Sequence, residues 1–140
     1  MQDIYVVGVG MTPFGKFRDK TIKDMTGEAV TAALSDAGVT ADRIDGAFFS
    51  NAVQGHMEGQ HMIRGEIALR EMGIQGIPVV NVENACASAS TGFKLAVDFL
   101  KAGNGDCCLA VGAEKMYSDD RALMFSAFDS GWDVSNGEEV

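Results

Sequence analysis

No stretch of about 18 apolar residues occurs in the chain, so a membrane-spanning helix is not expected. The start, Met1-Gln2-Asp3-Ile4, has neither the basic segment nor the apolar run of a secretion signal, and the cytoplasm is the expected compartment. Positive charge is also scarce: 11 Lys and Arg against 20 Asp and Glu give a formal net charge of −9. That balance argues against a nucleic-acid partner, which needs clustered Lys and Arg. It leaves room for a small anionic ligand, because a local patch or a helix N-terminus can hold phosphate. Cysteines number three, Cys86, Cys107 and Cys108. Adjacent residues of a strand point to opposite faces, so a Cys107–Cys108 bridge is not expected. No zinc-like spacing exists, since His56 and His61 lie far from the cysteines and are i, i+5 to each other; no metal site is expected. Free thiols in a reducing compartment fit this usage. Repeats, linkers and a second composition block are absent.

What is present suits one domain with a real core: 140 residues, 46% of them hydrophobic. The 17 glycines sit singly at the ends of apolar runs, the mark of tight turns between short elements. Ile4–Val9 is a β-branched run closed by glycine and predicts a buried first strand. Gly8-Val9-Gly10 opens like a dinucleotide fingerprint, but the third glycine and the following helix are missing. Lys16, Arg18, Lys20 and Lys23 predict a solvated basic loop face, the other reading being a contact to a ligand phosphate or a partner.

Asp24 is the expected cap of a helix reaching Asp36 or Ala37, with Met25, Ala29, Ala32, Ala33 and Ala37 on its apolar face and Gly38 as its stop. A turn at 42–46 leads to a strand over 47–50, then a polar loop over 54–60. A second helix is expected over 62–72 and a strand over 79–82 opened by Pro78. A third helix over 87–102 precedes an apolar strand over 107–111. Phe48, Phe49, Phe93 and Phe99 fall at core-like positions. Strands alternating with helices over short connections predict an α/β fold with a parallel-rich sheet. Beyond Gly112 the character changes: 117–120 is polar, 123–128 mixed, and Ser135–Val140 acidic, with no closing element.

Chemistry concentrates in Asn81-Val82-Glu83-Asn84-Ala85-Cys86-Ala87-Ser88-Ala89-Ser90. A buried strand passes through a short turn into a helix whose first turn carries only small side chains. Cys86 at that point meets unpaired N–H groups and positive potential, which favour a thiolate. Ala85, Ala87 and Ala89 let an acyl group approach, and the Cys86 N–H can donate to a thioester oxyanion, as in the nucleophile elbow of hydrolases. The plainer reading of Cys86 is a small buried hydrophobe. Cys107 and Cys108, mid-strand and without polar neighbours, are expected to be inert. Glu83 and Asn84 are expected to cap the helix or order the turn. His56 and His61 sit in polar surroundings and are expected to be exposed loop residues.

These residues carry a family pattern. Residues Val79 to Ser90, Ala96 to Gly103 and Leu109-Ala110-Val111-Gly112-Ala113-Glu114-Lys115-Met116 resemble the nucleophile region of thiolases, most of all the sterol-carrier-protein-type and archaeal groups. Val6-Val7-Gly8-Val9-Gly10-Met11-Thr12-Pro13-Phe14-Gly15 is similar to the first strand of that group, and the resemblance spans residues 4 to about 116. It implies a thiolase-like N-terminal half, a parallel-rich sheet with helices on both faces. Residues 1–116 would form the domain core and 117–140 the incomplete start of a loop region. It further implies that Cys86 accepts an acyl group from a 3-oxoacyl-CoA or acyl-CoA, for thiolytic cleavage or Claisen condensation. Coenzyme A would be a substrate, with no covalently bound cofactor. Homodimers or tetramers are implied, along with a small OB-fold, zinc-ribbon partner or a chain carrying the C-terminal half.

The chain also departs from the family. Thiolases contain two similar halves, and the histidines that activate the nucleophile and the second cysteine that moves the proton belong to the other half. The last strand of this sheet would lie beyond Val140 as well. The 140 residues alone are therefore expected not to turn over. A second reading is a non-catalytic thiolase-like subunit that scaffolds an active partner. A third is a ketosynthase or hydroxymethylglutaryl-CoA-synthase relative, which shares the fold and the cysteine.

Overall fold

The computed structural model of the chain describes residues 3–136. The expectations for the Met1–Ile4 start and for the acidic Ser135–Val140 stretch fall partly outside the described residues.

Helix α1 spans Ile22–Ala37. Its cap is Thr21, one turn earlier than Asp24. The Asp24 N–H donates to Thr21 Oγ1 (3.1 Å) and the Thr21 N–H donates back to Asp24 Oδ2 (2.7 Å), a reciprocal capping box. Asp24 thus occupies the third helical position. Gly38 ends the helix at φ 66°, as its position predicts. The two Thr21 hydrogen bonds hold the Asp24 carboxyl below its ordinary value of 3.8. A lowered carboxyl contributes stability that is present above 3.8 and lost as pH falls through the folded-state value. Loss of the N-cap side chain in Thr21→Ala is expected to cost about 0.5–2 kcal/mol at neutral pH. That loss should shrink in acid when urea titrations are run above and below the carboxyl's titration.

Strands β1 (Gly46–Ser50), β2 (Val79–Val82) and β3 (Cys108–Gly112) form a parallel sheet in the order β2-β1-β3. Phe48 registers against Val80 on one side and Ala110 on the other. All of β1 is buried, as a central strand covered on both faces must be. Asp45 pins its start: the Asp106 and Cys107 N–H groups donate to Asp45 Oδ2, and the Asp45 N–H donates to the Cys107 carbonyl.

The period of two along β1 divides the core. Ala47 packs with Val30, Ile44, Leu69, Ile74 and Leu109, and Phe49 with Ile22, Met25 and Ala68. Both therefore face α1 and α3 (Arg64–Arg70). Phe48 points the other way, onto Val82 of β2 and Ala96 of α4 (Ser88–Lys101), and meets Phe99 edge-on at 5.8 Å. Helices on both faces of a parallel sheet match the expected architecture.

Four local expectations need correction. The 54–60 loop contains a short helix, α2 (Gln54–Glu58), because Asn51 Oδ1 accepts the Gln54 N–H and starts a turn that Gly59 closes at φ 75°. The expected 62–72 helix is only α3, since Ile63 lies at φ 47° and cannot be helical. Phe93, expected in the core, is half exposed because it lies off the α4 stripe formed by Ser88, Gly92 and Ala96. The largest difference is at the N-terminus. Residues 4–9 form no strand, and Tyr5, Val6, Val7 and Val9 are more than half exposed.

That segment packs instead through its glycines. A Cβ on Gly10 would come within 2.1 Å of the Ala29 carbonyl oxygen, and one on Gly8 within 2.7 Å of Ala37 Cβ. The Ala29, Ala33 and Ala37 stripe of α1 therefore receives a backbone instead of the sheet. The Val9 N–H bonds Asp36 Oδ2 at 2.9 Å. Between this segment and β3 lies a mostly apolar cavity of about 640 Å³, lined among others by Val7, Val30, Leu100, Leu109 and Val111.

Candidate active site

Parallel strands deliver all their following loops to one edge of the sheet, the edge where open α/β folds place ligands. Three loops meet there: 51–53 after β1, 83–87 after β2, and 113–120 after β3, which leads to a last short helix, α5 (Arg121–Ser126). Backbone bonds tie them at their roots, from the Asn51 N–H to the Val82 carbonyl and from the Ala113 N–H to the Ser50 carbonyl.

Glu114 knits the first and third loops. Its carboxylate accepts from the Ala52 N–H (2.7 Å), from the Val53 N–H and from Asn51 Nδ2 (3.0 Å). Arg64 donates to Asn51 Oδ1 (2.7 Å) and to the Asn51 carbonyl. On the outer strand, Asn81 Oδ1 accepts the Gly65 N–H at 2.6 Å, and its Nδ2 donates to Glu66. Sequence reasoning gave Asn51, Arg64 and Glu114 no role. For Asn51 and Glu114 the signal lay in polar residues one or two positions beyond apolar strands, where a loop needs its N–H groups satisfied, while Arg64, at the start of α3, carried none.

Cys86 sits on the second loop, in a 3₁₀ turn over Ala85–Ala87 that leads directly into α4. It is exposed, in contrast to the buried small hydrophobe of the plainer sequence reading. Its N–H donates to no group among the described residues. Glu83 and Asn84 order the turn without capping α4: Glu83 Oε1 accepts the Ala85 N–H at 2.7 Å, and Asn84 Nδ2 donates to Thr91 Oγ1.

The histidines are exposed and are not hydrogen-bonded to Cys86 among the described residues. His56 lies on α2, where its Nε2 pairs with Ser126 Oγ of α5 at 2.9 Å. The basic face is largely paired off: Arg18 with Asp119, Lys20 with Glu28 and Lys23 with Glu71, while Lys16 lies over the Tyr117 ring at 5.1 Å. Among the described residues, no three His, Cys, Asp or Glu side chains converge as a metal site, and no helix is long and apolar enough to cross a membrane.

The other two thiols are of a different kind. Burial pushes the Cys108 thiol up to about 11, helped by Cys107 and Asp45, and burial likewise raises Cys107. Thiolate is the reactive form. Limiting iodoacetamide at mildly alkaline pH is therefore expected to label Cys86 about tenfold or more ahead of Cys107 and Cys108, as read by peptide mass mapping.

Comparison with known proteins places the chain in context. A family model described as thiolase, N-terminal domain, matches residues 4–137. Non-specific lipid-transfer protein-like 2 of Caenorhabditis elegans is 39% identical over 133 residues, covering 86% of this chain and 31% of the relative. Acetyl-CoA acetyltransferase of Methanothermobacter thermautotrophicus is 33% identical over 139 residues, covering 98% of this chain and 36% of the relative. Among solved structures, the Acat5 thiolase of Ascaris suum in complex with coenzyme A superposes with a TM-score of 0.73 over 85% of this chain and 33% of that one, at 16% identity. The chain thus spans about a third of the length of these relatives.

Proposed function

The chain belongs to the thiolase family, matching its N-terminal domain, and on that premise we propose that Cys86 is the acyl-accepting nucleophile of an acyl-CoA C-acyltransferase. The Cys86 thiolate attacks the thioester carbonyl of an acyl-CoA. The Cys86 N–H donates to the oxyanion of the tetrahedral intermediate, which collapses to an acyl-cysteine. CoA leaves as its thiolate and is then protonated. That sequence serves condensation, where the enolate of a second acyl-CoA then attacks the acyl-cysteine and releases Cys86. In thiolytic cleavage Cys86 instead attacks the 3-oxo carbon of a 3-oxoacyl-CoA, the C2–C3 bond breaks, the departing acyl-CoA enolate is protonated at C2, and a CoA thiolate takes the acyl group from Cys86.

One observation carries this reading: the exposed Cys86 stands on a turn at the sheet edge where three loops converge, with its N–H unpaired among the described residues. The acetyltransferase relative and the coenzyme A complex of the structural neighbour support CoA esters as the substrate class. The groups that accept and return protons would come from the part of the polypeptide that these relatives possess and this chain does not span. Accordingly, the 140 residues alone would take at most one acyl group and not cycle.

The test is intact-mass and peptide analysis after incubation with acetyl-CoA. One acetyl group on Cys86 is the expected result. Its absence from the assembled protein, meaning this chain together with the portion its relatives possess beyond it, would sink the nucleophile reading in favour of a non-catalytic thiolase-like subunit.

A further inference from the structure

Ala85, the residue before Cys86, lies at φ 45°, a left-handed conformation that non-glycine residues other than Asn and Asp rarely adopt. Such a conformation persists only where its surroundings over-determine it. Here the peptide groups around it are held by two side chains. Glu83 Oε1 accepts the Ala85 N–H at 2.7 Å. Ser88 Oγ donates to the Ala85 carbonyl at 2.7 Å and accepts the Asn84 N–H at 2.8 Å. Ser88 is itself buried, and its carbonyl accepts the hydroxyl of Ser50 at 3.0 Å. Ser50 ends the central strand, and its hydroxyl fits only because position 92 is glycine, where a Cβ would come within 2.5 Å of Ser50 Oγ. A continuous set of contacts therefore runs from β1 through Ser50 and Ser88 to the turn that carries Cys86.

We infer that Ser88, assisted by Glu83, is a positioning residue that locks Ala85 in its left-handed conformation and thereby aims the Cys86 thiol at the acyl carbon. The inference rests on the nucleophile reading above. Neither side chain is required to touch the substrate. With the lock removed, Ala85 can return to an ordinary conformation, which rotates the following peptide and displaces both the Cys86 thiol and its N–H. Glycine pays no steric penalty at positive φ, so Ala85→Gly removes the strain that the lock opposes. A role confined to starting α4 would not be relieved by that substitution.

The experiment compares rates of Cys86 acetylation from acetyl-CoA in the full chain, with melting temperature followed in parallel. Ser88→Ala is expected to slow acetylation roughly ten- to a hundredfold, the cost of misplacing a reacting group by about 1 Å. Ser88→Ala combined with Ala85→Gly is expected to recover to within about threefold of the unsubstituted chain, at the melting temperature of Ser88→Ala alone. Glu83 is exposed, so its variants report without a folding complication. Glu83→Ala should slow acetylation severalfold, while Glu83→Gln, which keeps an acceptor for the Ala85 N–H, should not.

Unchanged acetylation in Ser88→Ala overturns the inference, as does a loss that Ala85→Gly fails to recover. If Ser88→Ala does not fold, equal rates in Glu83→Ala and Glu83→Gln overturn it. Lack of acetylation in the unsubstituted protein is a different outcome: it removes the nucleophile reading, and this inference with it.

Discussion

Cys86→Ala in the assembled protein is expected to lower acyl transfer by about a thousandfold or more, because covalent catalysis has no substitute for its nucleophile. The fold should survive, since Cys86 is exposed on a turn and makes no core contact. The expected signature is loss of the acetyl adduct and of turnover at an unchanged melting temperature. Coenzyme A affinity, measured by calorimetry, should change little. Cys86→Ser is the sharper variant, because the hydroxyl preserves shape while remaining protonated at neutral pH. Turnover within tenfold of the unsubstituted protein in either variant would show that the acyl group goes elsewhere.

The second large effect concerns stability. Phe49 is 1% exposed on the central strand and fills the space between Ile22, Met25 and Ala68, with Gly65 of α3 closing over it. A Cβ on Gly65 would come within 2.5 Å of Phe49 Cβ, so the helix has no slack with which to collapse onto a smaller side chain. Phe49→Ala should therefore sit at the upper end of cavity costs, about 3–5 kcal/mol. For a domain whose total stability is of order 5–15 kcal/mol, that removes a third or more. Phe14→Ala, at a residue 95% exposed, should stay within about 0.5 kcal/mol and serves as the control. Urea titration of both variants reads the difference directly, and equal midpoints would refute the packing account.

Much of this arrangement was legible in the sequence. The alternation of apolar runs with helical stripes located β1, β2, β3, α1 and α4 to within a few residues, because each is defined by burial on a sheet or a helix face. Cys86 stood out because small residues on both sides of it, at a strand-to-helix turn, leave room for a reacting group. The misses share a cause: they depend on contacts that a local reading does not contain. Thr21 takes the cap because Asp24 can bond back to it from the third position. α2 exists because the side chain of Asn51 organises the turn after β1. Ile4–Val9 has the composition of a strand but has no strand to pair with among the described residues, and a ladder requires two members. The Glu114–Asn51–Arg64 cluster joins residues up to 63 positions apart in the chain, which periodicity does not register. The left-handed Ala85 was also invisible, since alanine, unlike glycine or asparagine, does not advertise a positive φ.

The unpaired edge of β3 has a consequence for biosynthesis. Along this edge β3 has no strand partner among the described residues, and an apolar cavity separates it from the residues at 4–9. In a chain leaving the ribosome, the three strands can pair and cover both faces while that flank stays open. An uncovered strand edge beside apolar surface is a template for pairing with other chains. This flank is therefore where the nascent chain is expected to be most prone to associate with other chains, and a Lys placed on β3 facing it should lower aggregation on refolding.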